Sequence, residues 1–211
     1  MKLNKYNKET VSIILPTFNR AEYLSRSINS VIAQSYSKWE LVIIDDGSSD
    51  NTKEMLRSYL VHFPNIKYFY HSNKGVALSM NEGIKRSSGE FITFLGSDDE
   101  YLPDHLKLRI EYFNSYKDTD LIHTTAKIVG NKFVKDKNDL SKNIHLDECI
   151  LGGTLFGRRK IFKLLNGFND VSYSPESDFI ERSERKFHIQ KLDLPTYIYY
   201  RDTPDSICNA I

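Results

Sequence analysis

Short apolar runs alternate with helically spaced apolar residues along the first half of the chain. Four runs, at residues 11–15, 39–44, 66–70 and 91–95, have the length and composition of buried strands. Between and after them, apolar residues recur at intervals that predict helices: Leu24, Ile28, Val31 and Ile32; Met55, Leu56, Tyr59 and Leu60; Val76, Met80 and Ile84; Leu106, Ile110 and Phe113. Strands separated by helices predict an α/β fold with a mostly parallel central sheet, right-handed crossovers and flanking helices.

The second half of the chain is less regular and predicts a smaller accessory β/α region. The expected elements are a strand at 121–125, a hairpin at 128–134 turning at Gly130 and Asn131, a mobile lysine-rich loop at 135–147, helices near 159–165 and 177–186, and closing strands at 187–192 and 196–200. No repeat or clear linker divides the sequence, so residues 1–211 are predicted to form a single domain. Its first half covers about residues 11–100 and its accessory half about 101–211.

Polar, turn-forming residues follow three of the first four predicted strands. They are Thr17 and Asn19, Asp45 and Asp46, and Asp98 and Asp99. In open α/β sheets, ligands bind outside the carboxyl ends of the strands. Several polar ends at one edge therefore predict a ligand site there.

The acidic pair after the fourth strand has two interpretations. Adjacent carboxylates repel each other unless something positive lies between them and a ligand, and a divalent cation holding a phosphate meets that need. Alternatively, residues 97–99 turn the chain and cap the next helix, which Pro103 would open.

Composition and charge narrow the class of protein. The chain has 211 residues, 40% hydrophobic and 27% charged, which is a globular composition able to bury a core. Its net charge of +1 gives no indication of nucleic-acid binding. Cys149 and Cys208 lack zinc spacing, and we expect reduced thiols. No signal peptide or spanning run occurs, so we expect a cytoplasmic protein that can associate peripherally with the inner face of the membrane without crossing it.

Four stretches carry a resemblance to a known family: residues 11–20, residues 40–52, Asn73 to Gly75 with Asn81, Gly83 and Gly89, and residues 95–99. In this order and spacing they resemble the family 2 glycosyltransferases of the GT-A, Rossmann-like fold. The likeness extends over about residues 11–206. It implies that the first half of the chain binds a nucleotide sugar and the accessory half binds the acceptor.

The resemblance implies a nucleoside-diphosphate sugar as donor, usually UDP- or dTDP-linked, and a Mn²⁺ or Mg²⁺ ion. The nucleotide-sugar-binding residues that it implies are Pro16, Thr17, Asn19, Asp46, Ser48, Asn73, Gly75 and Asp98. A carboxylate suits this role at Asp46, because it accepts hydrogen bonds from a base N–H or a ribose hydroxyl. For Asn19 and Ser48, plain turn chemistry is the alternative.

Asp98 and Asp99 are the metal ligands that the resemblance implies, in a motif that departs from the usual pattern. Most members carry Asp-x-Asp-Asp, and this chain has Gly96 in place of the first aspartate. One or two carboxylates with the diphosphate and waters still satisfy a hard cation. Met80 stands where the family often has arginine, and we expect it to pack in the core.

The accessory half resembles the acceptor side of the family at residues 152–156, 166–169 and 175–182. Pro175 replaces the first acidic residue of a helix start, Glu176 takes the place of the catalytic base, and Asp178 and Arg182 match the family pattern. A purely structural Glu176, favoured by the helix dipole, is the alternative.

The closing segment, residues 200–206, resembles a family motif with one change. Thr203 stands where many members have a histidine that helps with the metal or diphosphate. Arg201 either reaches the phosphates or forms a solvated salt bridge.

The resemblance implies an inverting, metal-dependent glycosyltransferase acting on a hydroxyl of a glycan or lipid-linked acceptor in bacterial surface polysaccharide synthesis. The sequence has no P-loop, G-x-G-x-x-G motif or nucleophile elbow. A sugar-phosphate nucleotidyltransferase is one alternative, although residues 16–20 match its basic, glycine-rich loop poorly. A non-catalytic sugar-nucleotide-binding module is the other, because four departures surround one site. With no membrane segment after Ile211, we do not expect a processive membrane synthase.

Overall fold

Twelve strands and six helices form the described part of the chain, which is residues 7–171 and 173–203 of this computed structural model. The strands are β1 (Asn7–Thr17), β2 (Trp39–Asp45), β3 (Ile66–Tyr70), β4 (Gly89–Phe94), β5 (Glu100–Tyr101), β6 (Leu121–Thr124), β7 (Lys127–Val129), β8 (Phe133–Asp136), β9 (Asp139–His145), β10 (Phe156–Arg158), β11 (Ile189–Leu192) and β12 (Tyr197–Tyr200). The helices are α1 (Ala21–Ile32), α2 (Thr52–His62), α3 (Val76–Arg86), α4 (His105–Ser115), α5 (Arg159–Leu164) and α6 (Pro175–Glu184). Two 3-10 turns lie at Leu146–Glu148 and Gly152–Thr154.

A seven-stranded sheet with the order β11-β6-β10-β4-β1-β2-β3 forms the centre of the molecule. β1 pairs in parallel with β2 and β4, and β2 pairs in parallel with β3. Helices α1, α2 and α4 contribute to the hydrophobic core on one face, and α3, α5 and α6 contribute to the core on the other. The predicted parallel arrangement of the first four strands is confirmed, and burial explains the continuous apolar runs of β1, β2 and β4, while the edge strand β3 is only partly buried.

A short strand between β4 and β6 was not visible in the sequence pattern. β10 has three residues and pairs antiparallel with both neighbours, while β11 pairs in parallel with β6 at the sheet edge. Phe156 of β10 packs against Phe91 and Phe113, with ring centroids 5.4 and 5.5 Å away. Three residues between a glycine turn and a helix are too few to show a period, so apolar patterning could not identify this strand.

Two predictions for the accessory half are wrong. β7 pairs with β12, which also pairs with β5, so Gly130 and Asn131 connect two different sheets instead of turning one hairpin. Residues 135–147, expected to be a loop, contribute to a β8–β9 hairpin and the 3-10 turn after it. Most of β9 is exposed. This strand of the hairpin therefore carries polar residues and lacks the alternation of apolar and polar residues that a half-buried strand shows.

The acidic turn at residues 96–99 does not cap a helix. β5 follows it directly, and α4 begins only at His105, with Asp104 at its N-cap position. The helix-cap interpretation of residues 97–99 is therefore wrong. This leaves the turn as a connection between the central sheet and the three-stranded sheet.

Within the described residues, no helix has the length and apolar character needed to cross a membrane. Cys208 and residues 204–206 of the closing segment, both considered above, lie outside the described residues.

Candidate active site

The carboxyl ends of β4, β1 and β2 lie side by side because these strands are neighbours in the sheet. Thr17 is the register partner of Asp45, and the N–H of Asp46 donates to the carbonyl of Thr17 at 2.8 Å. The acidic turn continues β4 at the same edge. The structure thus brings the polar ends of three strands together, as the sequence pattern indicates.

Asp46 is buried and holds the loop between β3 and α3. Its two carboxylate oxygens accept hydrogen bonds from the backbone N–H groups of Lys74 (2.7 Å) and Gly75 (2.9 Å). Gly75 has φ +91°, a conformation that favours glycine. Asn73 and Gly75 are both exposed on this loop. Asp46 therefore positions the wall of the predicted base pocket, and its own contact with a base stays a prediction.

Asn19 and Ser48 join the turn after β1 to the turn after β2. The N–H of Asn19 donates to Oγ of Ser48 at 2.9 Å, and Oδ1 of Asn19 accepts from the N–H of Ser49 at 2.8 Å. Asn19 has φ 52°, a left-handed conformation that asparagine tolerates better than most residues. Turn chemistry is thus present at both residues, and a further contact with a nucleotide stays a prediction.

Thr17 has a buried hydroxyl with no hydrogen-bond partner within the described ranges. Buried polar side-chain atoms in native proteins are usually paired, so an unpaired hydroxyl at a strand end suits a ligand contact. Pro16 precedes it in β1, opposite Ile44. Both residues remain predicted nucleotide contacts.

Asp99 points into the protein and is only 3% exposed. Its Oδ1 accepts from the N–H of Tyr200 at 2.9 Å, and its Oδ2 accepts from the hydroxyl of Tyr197. Burial, and then the charge of Asp98, raise the pKa of Asp99 to about 8. Asp99 is therefore the less accessible of the two predicted metal ligands, and its contact with a cation stays a prediction.

Asp98 is the more accessible carboxylate of the pair. The hydroxyl of Thr203 hydrogen-bonds to it. Burial raises the pKa of Asp98, and the nearby positive charges of Arg20 and Arg26 oppose that rise. A desolvated, negatively charged oxygen at a sheet edge favours a positive partner.

The donor set at the acidic turn fits a hard cation held by one carboxylate. Asp98 supplies a partly exposed oxygen, with the hydroxyl of Thr203 beside it. Mg²⁺ is commonly held by one or two carboxylates together with substrate phosphates and waters. Across residues 7–171 and 173–203, no group of three or more His, Cys, Asp or Glu could hold a metal. A cation at Asp98 would therefore depend on oxygen ligands from a bound diphosphate.

Two serines of α1 and Gln34, just after its end, support the acidic turn and the β5 strand that follows it, and sequence reasoning missed them. Oγ of Ser27 donates to the carbonyl of Asp99 at 2.7 Å, and Oγ of Ser30 accepts from the N–H of Tyr101 at 3.1 Å. Gln34 donates to the backbone just after β5 at 2.9 Å. A spacing of three residues places the two serines on one face of α1, and Gln34 continues the same line beyond the helix end. That polar stripe was the available signal.

Arg26 extends from the same helix over the acidic turn. Its guanidinium lies 3.7 Å from the ring centroid of Tyr200 and donates to the carbonyl of Asp98. Its Nε is buried without a hydrogen-bond partner in the described part of the chain. Arg26 thus adds a positive charge at this edge that the sequence analysis did not identify.

Glu176 occupies the first turn of α6, directly after Pro175. Ser174 precedes that proline with φ 54°, a sparsely populated conformation for serine, and its hydroxyl donates to Oε1 of Glu176 at 3.3 Å. Burial raises the pKa of Glu176, while the charge of Lys137 in the β8–β9 hairpin opposes the rise. A carboxylate with a raised pKa is a stronger base, which general-base chemistry near neutral pH requires.

Comparisons with known proteins identify the family. The family described as Glycosyl transferase family 2 matches residues 12–177. The chain belongs to glycosyl transferase family 2.

Two relatives show how far the similarity extends. An uncharacterised glycosyltransferase of Rickettsia typhi is 32% identical over 192 residues, covering 84% of this chain and 59% of the relative. A GalNAc(5)-diNAcBac-PP-undecaprenol beta-1,3-glucosyltransferase of Campylobacter jejuni is 34% identical over 134 residues, covering 63% of this chain and 41% of the relative. The chain therefore matches less than two thirds of the length of either relative.

Solved structures with low sequence identity share the fold of this family 2 chain. S. aureus TarS, residues 1–349 in complex with UDP-GlcNAc, superimposes with a TM-score of 0.79 at 22% identity, covering 96% of this chain and 61% of TarS. The mannosyltransferase PcManGT of Pyrobaculum calidifontis, in complex with GDP-Man and Mn²⁺, gives a TM-score of 0.71 at 17% identity, covering 95% and 59% of the two chains. The predicted GT-A fold is confirmed.

Several departures from the family 2 pattern have a local explanation. Met80 is 5% exposed on α3 and packs in the core, as predicted. Pro175 opens α6 at a position where a missing N–H costs nothing. Thr203 directs its hydroxyl at Asp98. These substitutions are compatible with the fold.

Asp178 and Arg182, which match the family 2 pattern, fix the turn after α5. Nε of Arg182 donates to Asp178 at 2.9 Å, and its two terminal nitrogens donate to the carbonyls of Leu165 and Gly167, each at 2.9 Å. Both residues thus have a structural function on the accessory side.

Arg201 is buried, being only 3% exposed. It donates to the carbonyls of Asn131 and Phe133 at 3.4 and 3.5 Å, and its Nη1 has no hydrogen-bond partner in the described ranges. The solvated salt bridge considered above is therefore wrong. A contact between Arg201 and the phosphates stays a prediction.

Two surface clefts differ in their relation to this site. A cleft of about 270 Å³ lies beside the ends of β2 and β3 and is lined by Asp45, Ser48, Asp50, Lys53, Tyr68 and Tyr70. A cleft of about 440 Å³, lined in part by Tyr112, Tyr116 and His188, lies where β6 and β11 begin. The larger cleft is at the opposite edge of the sheet from the acidic turn. The volume of a cleft therefore does not by itself identify the candidate site.

Proposed function

We propose that the chain carries an inverting, metal-dependent glycosyltransferase activity. It moves a sugar from a nucleoside-diphosphate sugar, with UDP as the nucleotide, to a hydroxyl of a glycan or lipid-linked acceptor. The observation that carries this proposal is the acidic turn at the end of β4, where a partly exposed Asp98 lies at the same sheet edge as the polar ends of β1 and β2. Family membership supports the reaction class.

The donor and the cation are supported by the ligands of the structural neighbours. The TarS complex contains UDP-GlcNAc, and the PcManGT complex contains GDP-Man and Mn²⁺. Both superimpose on nearly the whole of this chain. A nucleoside-diphosphate sugar with Mn²⁺ or Mg²⁺ is therefore the donor complex that we assign to the edge of β1, β2 and β4.

In the proposed reaction, Glu176 accepts the proton of the acceptor hydroxyl as that oxygen attacks the anomeric carbon from the face opposite the diphosphate. The diphosphate leaves with the bonding electron pair, so the configuration at the anomeric carbon inverts. Asp98 would hold a Mn²⁺ or Mg²⁺ ion, which would supply charge stabilisation to the leaving diphosphate. Ser174 orients Glu176 through its hydroxyl. Raising the pKa of Glu176 by burial makes it a better proton acceptor.

The acceptor class is supported by the Campylobacter relative, a glucosyltransferase named for an undecaprenol-linked glycan. We therefore assign a lipid-linked or growing surface glycan as acceptor, and a cytoplasmic location with peripheral contact at the inner face of the membrane. Such contact would bring the site to an acceptor held in the bilayer.

A turnover assay tests this function. Release of UDP from a panel of UDP-sugars would be followed with Mn²⁺ and with EDTA, and the preferred donor should also raise the thermal midpoint by ligand linkage. Asp98→Asn and Glu176→Gln should each slow turnover by roughly a hundredfold or more. Asp118→Asn, an exposed carboxylate at the opposite sheet edge, is the matched control and should leave the rate unchanged.

Two outcomes would contradict the proposal. Turnover at the unmodified rate in both Asp98→Asn and Glu176→Gln would remove these residues from the reaction. Binding of UDP without consumption of any donor would instead favour the non-catalytic sugar-nucleotide-binding module, which the departures at Gly96, Pro175 and Thr203 suggest.

A further inference from the structure

The acidic turn is fastened to β12 through Asp99. The hydroxyl of Tyr197 donates to Oδ2 of Asp99 and accepts from the N–H of Gly96 at 3.2 Å. The N–H of Tyr200 donates to Oδ1 of Asp99 at 2.9 Å. Asp99 and Tyr197 are each 3% exposed. We call the set of Gly96, Asp99 and Tyr197 the Asp99 clamp.

Two glycines leave room for the Asp99 clamp. A Cβ at Gly96 would overlap Oδ2 of Asp99, and a Cβ at Gly153 would overlap the ring of Tyr197. Neither glycine has a positive φ, so backbone conformation does not require glycine at these positions. The neighbouring Gly152 has no atom within 4 Å of its ideal Cβ. What matters at Gly96 and Gly153 is therefore the absence of a side chain.

We propose that Tyr197 is a positioning residue that holds Asp99 away from the sheet edge, that Gly96 makes this arrangement possible, and that Asp98 alone presents a carboxylate to the cation. The part about the cation rests on the proposed function, whereas the Asp99 clamp is a property of the folded chain.

This arrangement gives Gly96 a physical function. A side chain at residue 96 and the observed position of Asp99 compete for one volume, so an aspartate there is incompatible with the Asp99 clamp as it stands. A buried carboxylate that accepts two hydrogen bonds is costly to displace, because the Tyr197 hydroxyl and the Tyr200 N–H would both lose their partner. The missing first carboxylate and the inward Asp99 are thus two parts of one arrangement.

The steric part of the proposal is tested by a double-mutant cycle on stability, which does not depend on activity. Gly96→Ala should lower the thermal midpoint by roughly 5 °C in the unmodified chain, because overpacking a filled site is destabilising. In an Asp99→Ala background the same change should lower it by about 1 °C or less, since the overlapped oxygen is gone. Equal losses in the two backgrounds would show that residues 96 and 99 are independent and would overturn the clamp.

The positioning function of Tyr197 must be tested by a measurement that does not change when only the stability of the fold changes. UDP binding would be measured by calorimetry over a series of Mn²⁺ concentrations for Tyr197→Phe and for Tyr101→Phe. Tyr101 is the matched control, because its buried hydroxyl donates to the carbonyl of Phe94 at 2.6 Å and to neither carboxylate. Each variant removes one buried hydroxyl that has two hydrogen-bond contacts, with Asp99 and Gly96 for Tyr197, and with Phe94 and Thr93 for Tyr101. Only Tyr197→Phe loosens the turn that carries Asp98, so it alone should raise the half-saturating Mn²⁺, by roughly tenfold, the usual scale for a residue that supports a metal ligand from behind.

The two carboxylates are separated by the same measurement. Asp98→Asn should abolish the Mn²⁺ dependence of UDP binding, whereas Asp99→Asn should retain it with a weaker Mn²⁺ response. Loss of the dependence in Asp99→Asn, or identical titrations for the two tyrosine variants, would overturn the assignment. If the unmodified chain shows no Mn²⁺ dependence, the metal requirement of the proposed function is wrong, and the stability cycle still decides whether the Asp99 clamp exists.

Discussion

A carboxylate that already accepts two hydrogen bonds from its own chain is fixed in place before a ligand arrives. Asp46 accepts from the backbone of the β3–α3 loop, and Asp99 accepts from two residues of β12. Asp45 is held in the same way, by the turn after β2 and by a tyrosine of β3. At the residue scale, most acidic side chains of this edge therefore position neighbouring segments, and Asp98 is the one that our proposal assigns to the cation.

The adjacent glycines of the Gly152–Thr154 turn offer a test at this scale. Gly153→Ala should lower the free energy of unfolding by about 2 kcal/mol, because its Cβ would overlap the buried ring of Tyr197. Gly152→Ala should change it by less than about 0.5 kcal/mol, since open space surrounds that position. Urea unfolding of the two variants provides the comparison. Similar losses in both would show that the turn, and not the tyrosine ring, determines the cost.

At the element scale, burial decides which parts of the fold were predictable. β1, β2 and β4 are almost fully buried within the sheet, so continuous apolar runs predicted them, whereas the edge strand β3 is only partly buried. Parallel pairing followed from the alternation of strands with helices. β7 and β10 have three residues each, and β9 is mostly exposed, so none of them shows a usable period. The sheet edge that carries the candidate site was predictable from the polar residues at the strand ends. The Asp99 clamp was not, because its tyrosine is 98 residues away from Asp99 in the sequence.

At the end of the central sheet opposite the candidate site, one buried glutamate of β2 links neighbouring strands. Glu40 accepts hydrogen bonds from Ser12 of β1 (2.6 Å), from the backbone N–H groups of Ser88 and Gly89 (3.2 Å for Gly89), and from Lys67 of β3 (2.6 Å). Burial alone would raise the pKa of Glu40, but these hydrogen bonds outweigh it and lower the pKa to about 2. Four neighbouring strands therefore share one ionised side chain.

This lowered pKa predicts a pH-dependent contribution to stability. The ionised form of Glu40 is favoured by folding, so its contribution is fully present above the ordinary value near 4.5 and is lost as pH falls toward about 2. The difference corresponds to roughly 3 kcal/mol at neutral pH. Glu40→Gln should therefore lower the free energy of unfolding by about that amount at pH 7, and the gap between the two proteins should narrow below pH 4.5. A gap that stays constant from pH 7 to pH 2.5, measured by urea unfolding, would contradict this account.

At the scale of the whole molecule, the β8–β9 hairpin contacts α6 and the segment that precedes this helix. The hydroxyl of Tyr173 donates to the carbonyl of Lys135 at 2.9 Å, and Lys137 forms an ion pair with Glu181 of α6. The charge of Lys137 also acts on Glu176 at the start of the same helix. A segment that sequence patterning treated as a loop thus contributes a positive charge to the surroundings of the proposed base, whose pKa is governed mainly by burial.

The pH profile of turnover tests this connection. A general base must be ionised, and because burial raises the pKa of Glu176, the acidic limb of kcat/KM should lie above the ordinary glutamate value of 4.5. Lys137→Met removes a charge that favours the ionised form, so it should move the acidic limb to higher pH and lower the rate most strongly on the acidic side.

Glu181→Gln breaks the same ion pair but leaves the charge of Lys137, and it should not move the limb upward. Lys142→Met, which removes an exposed lysine paired with Asp139 in the same hairpin, controls for loss of charge in general. A limb that shifts equally in Lys137→Met and Lys142→Met would show that net charge, not the placement of Lys137 by the fold, governs the ionisation of Glu176.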